Sequence, residues 1–509
     1  MFRHLSHHRH QPESPASERT DAAGPVTSSG PLSEQGAASS RAMPSRNGAP
    51  QRRSWWILAL MGTAQFMVIL DVTVVNVALP SIGSALGFAA ADLPWVITIY
   101  VLFTGGLMLL GGRATDLLGR RRVFGVGLLV FTMASLASGL AWSPEALIAA
   151  RAVQGLGAAL LLPSALAVIT TTYSGAQRTV ALTVWGAIGS AGVAAGVLLG
   201  GVITTLFGWE WIFLINVPVG VAIAAGARRL LPASKPQPGV GARLDLAGAA
   251  VVMAGLVTLV YAVAGTAEYG WLTGRTMILL GVAAALLAAF VMVERRGHEP
   301  LVPPAIWRVR SLVVSAVVML GATAVLVGAF FLNTVYLQNA LGYSALQTGL
   351  SFLPLALTIF AAAHLASHLL PHAGSRVVVI LGLTLVTGAA LLLAAAPDQA
   401  SYALDLLPAF LLLGAGVGLV FVAASVTSMA DVEHEEAGLA SGMMTTAHEL
   451  GAAFGVAIMS AVAATSDDPA SGYSNGLVSA AGIAVLLALV AAVALPSFRP
   501  APGTKVSIH

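Results

Sequence analysis

Gly112-Arg113-Ala114-Thr115-Asp116-Leu117-Leu118-Gly119-Arg120-Arg121-Arg122 is a charged island between two apolar runs, 94–112 and 123–141. Each run approaches the roughly 20 residues that an α-helix needs to cross a bilayer. Glycine lets helix ends approach and the chain turn tightly, so Gly112 and Gly119 are expected at a helix–helix junction. Asp116 lies among arginines that can pair with it. Such a cluster can latch one arrangement of helices and release another.

Outward from that island the same alternation continues. Apolar segments fall near 55–79, 94–112, 123–141, 146–170, 180–206, 211–231, 245–264, 276–294, 312–337, 349–370, 376–395, 404–425, 438–463 and 475–496. These are fourteen spans joined by short loops, with no room for a soluble catalytic domain. The runs are continuously apolar rather than alternating, which argues against a β-barrel. Of the 509 residues, 57% are hydrophobic and 9% charged, against about 25% charged in soluble domains. The expected fold class is an all-α polytopic membrane protein.

Basic residues are one-sided. The loops after segments 2, 4, 6, 8 and 10 carry Arg113, Arg120, Arg121, Arg122, Arg178, Arg228, Arg229, Lys235, Arg243, Arg295, Arg296, Arg308, Arg310 and Arg376. The alternate loops hold Asp92, Glu145, Glu210, Glu268, Asp398, Asp405, Asp467 and Asp468 but one base, Arg275. Cytoplasmic loops gather Lys and Arg, so with an even number of segments both termini are expected on the cytoplasmic side of the plasma membrane. The loop after segment 12 departs from this, with Asp431, Glu433, Glu435 and Glu436.

Segments 1–6 and 9–14 form a faint repeat. Pro371-His372-Ala373-Gly374-Ser375-Arg376 stands where the second half would place the Gly119-Arg120-Arg121 loop, and segments 5 and 13 are both glycine-bearing. The expected organisation is a disordered cytoplasmic arm (1–53), a six-helix half (54–231), an inserted helix pair (232–310), a second six-helix half (311–496) and a short cytoplasmic tail (497–509). Two related halves around a central cavity is a transporter architecture.

The G-x3-D-x2-G-R-R island resembles the loop 2–3 signature of the major facilitator superfamily. Leu70-Asp71-Val72-Thr73-Val74-Val75-Asn76-Val77-Ala78-Leu79-Pro80 resembles the first-helix signature of its fourteen-helix drug:proton antiporters, the EmrB/QacA type. Arg151-Ala152-Val153-Gln154-Gly155-Leu156-Gly157 is similar to their fourth-helix motif, Trp211 to Gly220 to their sixth-helix start, and Tyr336 to Gly349 to their helix 9–10 junction. The fifth-helix motif is present as Gly192, Gly196 and the pair Gly200-Gly201, with Val197 where the family has proline. The resemblance covers residues 55–496. It implies alternating access, an essential role for Asp71 and a proton-coupling role for Arg151.

The residues themselves point to the same places. Asp71, Arg151 and Glu449 are ionisable groups in apolar helices, where a charge is costly and marks a cavity or a partner. Asp71 is either an exchange site or a structural carboxylate. Arg151 cannot readily deprotonate, and either tunes a carboxylate or snorkels to the outer face; Gln154 lies one turn on. Asn76, His448, Asn333 and Tyr336 are further candidate cavity groups. His448-Glu449 is not a zinc motif, since position 452 is Ala. His364, His368 and His372 share a helix face, read as polar end residues before a metal site or pH sensor. His4, His7, His8 and His10 are read as incidental. Trp55, Trp56, Trp95 and Trp271 suit interface anchors.

Neither Lys235 nor Lys505 follows a glycine, so no phosphate-binding P-loop exists. The expected partners are a small-molecule substrate, protons and the lipid bilayer, with no nucleotide, nucleic acid, cofactor or metal. Proton-coupled export leads; an uptake carrier or uniporter of the same fold is the alternative, and a non-transporting sensor a third. Impermeant thiol reagents should label single cysteines at Arg122 and Trp142 from opposite faces of the membrane. Labelling from one face would overturn the topology.

Overall fold

The computed structural model describes residues 48–231, 244–296, 302–303, 305–397, 399–433 and 436–499, without the side chains of 48–53 and Ser190. Positions 4, 7, 8 and 10, Lys235, Arg243, Asp398, Glu435 and Lys505 lie outside them, as does nearly all of the expected arm. The described residues carry fourteen helices long and apolar enough to span a membrane. They are α1 (Ser54–Leu86), α2 (Trp95–Leu118), α3 (Arg120–Gly139), α4 (Pro144–Thr172), α5 (Gly175–Phe207), α6 (Trp211–Leu230) and α7 (Leu246–Tyr269). Then come α8 (Gly274–Arg296), α9 (Arg310–Ala340), α10 (Ala345–Ala373), α11 (Ser375–Ala394), α12 (Tyr402–Ser428), α13 (Ala437–Ala463) and α14 (Pro469–Ala494).

Helices satisfy all their own backbone polar groups, which is why a lipid-embedded chain adopts them. Several run further than their apolar cores. α1 continues through Pro80, and α2 continues past Gly112 to Leu118. The expected loop after α2 is therefore one residue, Gly119, at φ 91°. Gly112 is mid-helix, and a side chain there would meet open space. Charge suggested a loop where the backbone stays helical and simply exposes Asp116.

The repeat is visible in packing. In the first half α1 packs on α4, α5 and α6, α2 on α4, and α3 on α4 and α6; in the second α9 packs on α12, α13 and α14, α10 on α12, and α11 on α12 and α14. Close approach rests on glycine, as in many lipid-embedded bundles. Gly192, Gly196 and Gly200 of α5 face Ile69, Thr73 and Val74 of α1, and Gly451 and Gly455 of α13 face Leu320 and Ala324 of α9. Gly374 matches Gly119, a one-residue turn at φ 81°. Two residues after each glycine stands an arginine with the same task. Arg121 Nη2 donates to the Arg228 carbonyl at the end of α6 (3.2 Å), and Arg376 Nε to the Leu495 carbonyl at the end of α14 (2.7 Å). Arg310 adds bonds to the carbonyls of Ala494 and Val493.

Two reciprocal contacts dominate the seam between the halves, α2 with α13 and α10 with α5, and α1 adds smaller ones with α9 and α10. At the arginine-poor end α5 and α10 fit backbone to backbone: Gly201 faces Ala345 and Leu346, and Gly349 faces the Val197 carbonyl. Beside them Gln338 Nε2 of α9 donates to the Val77 carbonyl of α1 at 2.8 Å. α5 is continuous through Val197, so the missing proline leaves it unbroken. α7 packs on α2, α13 and α8, leaving α8 at the periphery, where 11% of its apolar window is buried. Trp55, Trp56 and Trp271 are exposed, whereas Trp95 stacks obliquely on Tyr261 of α7.

At φ 81–91° a side chain is strained. Gly119→Ala and Gly374→Ala should each cost about 1–3 kcal/mol, read as a lower melting temperature of the detergent-solubilised protein, while Gly112→Ala should be neutral.

Candidate functional site

Asp71 lies near the middle of α1, Ser135 in α3, Arg151 and Gln154 in the first turns of α4, and Asn216 in α6. α6 is offset at Ile215, so Asn216 begins its second piece. Pro218 has no N–H to offer the Leu214 carbonyl, which favours such an offset. All five side chains are buried.

Asp71 is saturated with donors. Its Oδ2 accepts from Arg151 Nη1 at 2.5 Å, and its Oδ1 accepts from Gln154 Nε2 at 2.8 Å and Asn216 Nδ2 at 2.9 Å. Arg151 Nη1 also reaches Gln154 Oε1 (2.7 Å), and Arg151 Nε reaches the Val96 carbonyl (3.1 Å). Ser135 Oγ accepts from Gln154 and Asn216 and donates to the Phe213 carbonyl at 3.0 Å. The guanidinium carbon stands 4.1 Å from the ring centroid of Tyr100 in α2, within cation–π range. One carboxylate thus ties α1, α4 and α6, and its partners extend the network to α2 and α3. The structure corrects the outer-face reading of Arg151, which is fully buried and paired.

Two of its members hold something back. Arg151 Nη2 is buried without a hydrogen-bond partner, and so is the Tyr100 hydroxyl. The hydroxyl of Thr104, near Tyr100, is committed to the Tyr100 carbonyl. Asn76 Oδ1 is a third orphan. Buried polar atoms without partners are rare in native proteins, and each asks for an explanation.

Glu449 sits in the opposite half, twelve residues into α13. α13 meets α2 there: a side chain on Gly105 would strike Glu449 Cβ and the backbone of Leu450. The Glu449 carboxylate is half-buried and has no hydrogen-bond or ion-pair partner among the described residues. His448 beside it bonds Thr323 Oγ1 through Nδ1 (3.0 Å) and lies edge-on to Phe421.

Other candidates fall elsewhere. Asn333 accepts from the Tyr473 hydroxyl (2.9 Å) and donates to the Ala329 carbonyl; Tyr336 stacks on Tyr473 and donates to the Pro397 carbonyl (2.7 Å). Both brace α9 against α14 and the α11–α12 connection. Asp116 is exposed at the end of α2, and Arg121 reaches the Arg228 carbonyl of α6. His364, His368 and His372 are exposed on α10. Among the described residues no three metal-ligating side chains cluster.

Ser135, Asn216 and Tyr100 were not singled out by sequence. Asn216 carried a signal, an amide within an apolar run; a lone serine or tyrosine in such a helix does not distinguish a network member from packing.

The Major Facilitator Superfamily profile matches residues 61–456. The chain belongs to that superfamily. It is 40% identical over 472 residues to the puromycin resistance protein pur8 of Streptomyces alboniger, covering 88% of this chain and 92% of that one. It is 41% identical over 445 residues to the cephamycin export protein CmcT of Amycolatopsis lactamdurans (85% and 90% covered) and 37% identical over 421 to the lincomycin resistance protein of Streptomyces lincolnensis (81% and 84%). An auto-inhibited POT family peptide transporter shares the fold, with a TM-score of 0.65 at 17% identity, over 90% of this chain and all of that one. Membership in this superfamily makes the protein a multi-pass membrane transporter and not an enzyme.

Removing one partner of a buried ion pair strands the other charge. Arg151→Ala should destabilise the solubilised protein by about 3–5 kcal/mol, and Arg151→Ala combined with Asp71→Leu should recover part of that. Equal melting temperatures for Arg151→Ala and the parent would contradict the paired arrangement.

Proposed function

We propose that this protein exports antibiotics or related small metabolites across the plasma membrane, driven by protons entering through the same carrier. Relatives named for puromycin and lincomycin resistance and for cephamycin export support the direction and the substrate class. The arginine-rich connections support a cytoplasmic position for both termini.

One observation carries the coupling: Glu449 is an uncommitted carboxylate at mid-helix in a lipid-embedded bundle. An intramembrane carboxylate facing no cation is suited to hold a proton and to release it when its surroundings change. Asp71 is placed differently. Both of its oxygens are committed to donors from α4 and α6. We assign Asp71 to holding Arg151, Gln154 and Asn216 in place, and Glu449 to the proton. Residues 54–231 and 311–496 rock as the two halves about the α2–α13 and α5–α10 contacts. Gly119, Arg120 and Arg121, with Asp116, lie at the end that must open toward the cytoplasm.

In a pump-deficient bacterial host, expression should raise resistance to at least one of puromycin, lincomycin and a cephamycin. In inverted vesicles that compound should discharge a preformed proton gradient. Glu449→Gln should abolish the discharge while inserting normally and keeping its melting temperature. A compound exported with no proton movement would refute the coupling, and undiminished discharge by Glu449→Gln would remove Glu449 from it.

A further inference from the structure

The first half presents two buried donors without acceptors, Arg151 Nη2 and the Tyr100 hydroxyl. The second presents an acceptor without a donor, the Glu449 carboxylate, on the helix packed against α2, the helix that carries Tyr100. The ring of Tyr100 supports the Arg151 guanidinium at 4.1 Å, and the charges of Asp71, Arg151 and Glu449 all bear on it. Groups left unsatisfied on both sides of a sliding contact are complementary, and the helices that bear them are those whose relative position changes as the halves rock.

We infer that Tyr100 is the positioning residue through which the proton on Glu449 is read by the first half: in the alternate arrangement of α2 and α13, ionised Glu449 accepts hydrogen bonds from the Tyr100 hydroxyl and Arg151 Nη2. Protonation of Glu449 withdraws the acceptor, and the contact lets go. No covalent bond changes; the proton stays on the Glu449 carboxyl until the contact re-forms. The role rests on the assignment of the proton to Glu449, and adds to it the residue that converts occupancy into movement.

Other ionisable groups around this contact are few. α13 itself contributes His448, tied to Thr323 of α9. α7 brings Tyr261, which binds Arg275 near the arginine-poor end, and Glu268 and Tyr269 at its last turn. α9 brings Arg310 and Tyr336 at its two ends, bonded to the Ala494 and Pro397 carbonyls, and α14 brings Tyr473, bonded to Asn333. The ionisable members of α2 besides Tyr100 are Arg113 and Asp116, near its far end.

The chain has no cysteine, so spin labels can be placed directly. Labels at Arg122→Cys in α3 and Gly438→Cys in α13, both exposed, report the separation of the halves in nanodiscs by double electron–electron resonance. Between about pH 5.5 and about pH 8.5, a range that covers histidine and carboxylates withdrawn from water, the distance distribution should shift in the parent. Tyr100→Phe keeps the ring over Arg151 and removes a hydroxyl that makes no hydrogen bond here, so folding is spared; the shift should be lost. Glu449→Gln should lose it as well, and His448→Gln should retain it. A shift that survives Tyr100→Phe but not Glu449→Gln overturns the role of Tyr100 and leaves the proton on Glu449. A shift that survives both, or one lost in His448→Gln alone, overturns the assignment of the proton and this inference with it. A parent without a pH-dependent shift also overturns both.

Discussion

A carboxylate sealed inside a greasy bundle has to be met by donors that the fold supplies, because no water is there to do it. Asp71 is met by three: Arg151, Gln154 and Asn216, from two other helices. Their remaining bonds to Ser135 and Val96 draw in α3 and α2, and Ser135 returns a bond to the Phe213 carbonyl of α6. The geometry of α1, α3, α4 and α6 is therefore fixed against a common point. Replacing such a pair with apolar side chains is often neutral in energy, so its value here is the unique register it imposes on helices that would otherwise slide on apolar faces.

The second half is built on the same pairings without that charge. α9 meets α13 through Gly451 and Gly455, as α1 meets α5 through Gly192, Gly196 and Gly200. Its polar bracing is neutral, Asn333 with Tyr473 and Tyr336 stacked alongside. The ionisable members at the heart of this half are Glu449 and His448, and His448 is occupied by Thr323. Two halves alike in backbone and unlike in charge can divide the work, one holding an arginine rigidly and the other presenting a carboxylate that stays free to change.

Most of the fold could be read from the sequence because lipid imposes a simple rule on it. Apolar runs of bilayer length become helices, and the one-sided arginines order them. Helix ends were less legible: Arg113 and Asp116 look like loop residues, yet the turn is made by Gly119 alone, since a helix can carry charge past the apolar zone. At the site, Asp71, Arg151, Gln154 and Glu449 stood out as charge or amide in apolar runs. Ser135 and Tyr100 did not, because a hydroxyl costs little in a helix and reveals its partner only in three dimensions. The same limit applies to Asn333 and Tyr336, whose polarity marked them but whose direction, toward α14 and the Pro397 carbonyl, is a matter of packing.

The arginines at the end of the bundle do more than orient the chain. A helix ends with carbonyls that lack partners and with partial negative charge. Arg121 and Arg376, each two residues beyond a left-handed glycine, reach across to those carbonyls on α6 and α14. The following tail then returns to the α10–α11 turn, where Ser375 N donates to the Phe498 carbonyl and Phe498 N to Ser375 Oγ. Each half thus has its third and sixth helices clasped at one end, independent of the other half. Clasps that stay within a half, and halves joined among the described residues by helix packing and the Gln338–Val77 hydrogen bond, are the mechanical condition for rocking: each half is clasped to itself and the seam carries no such clasp.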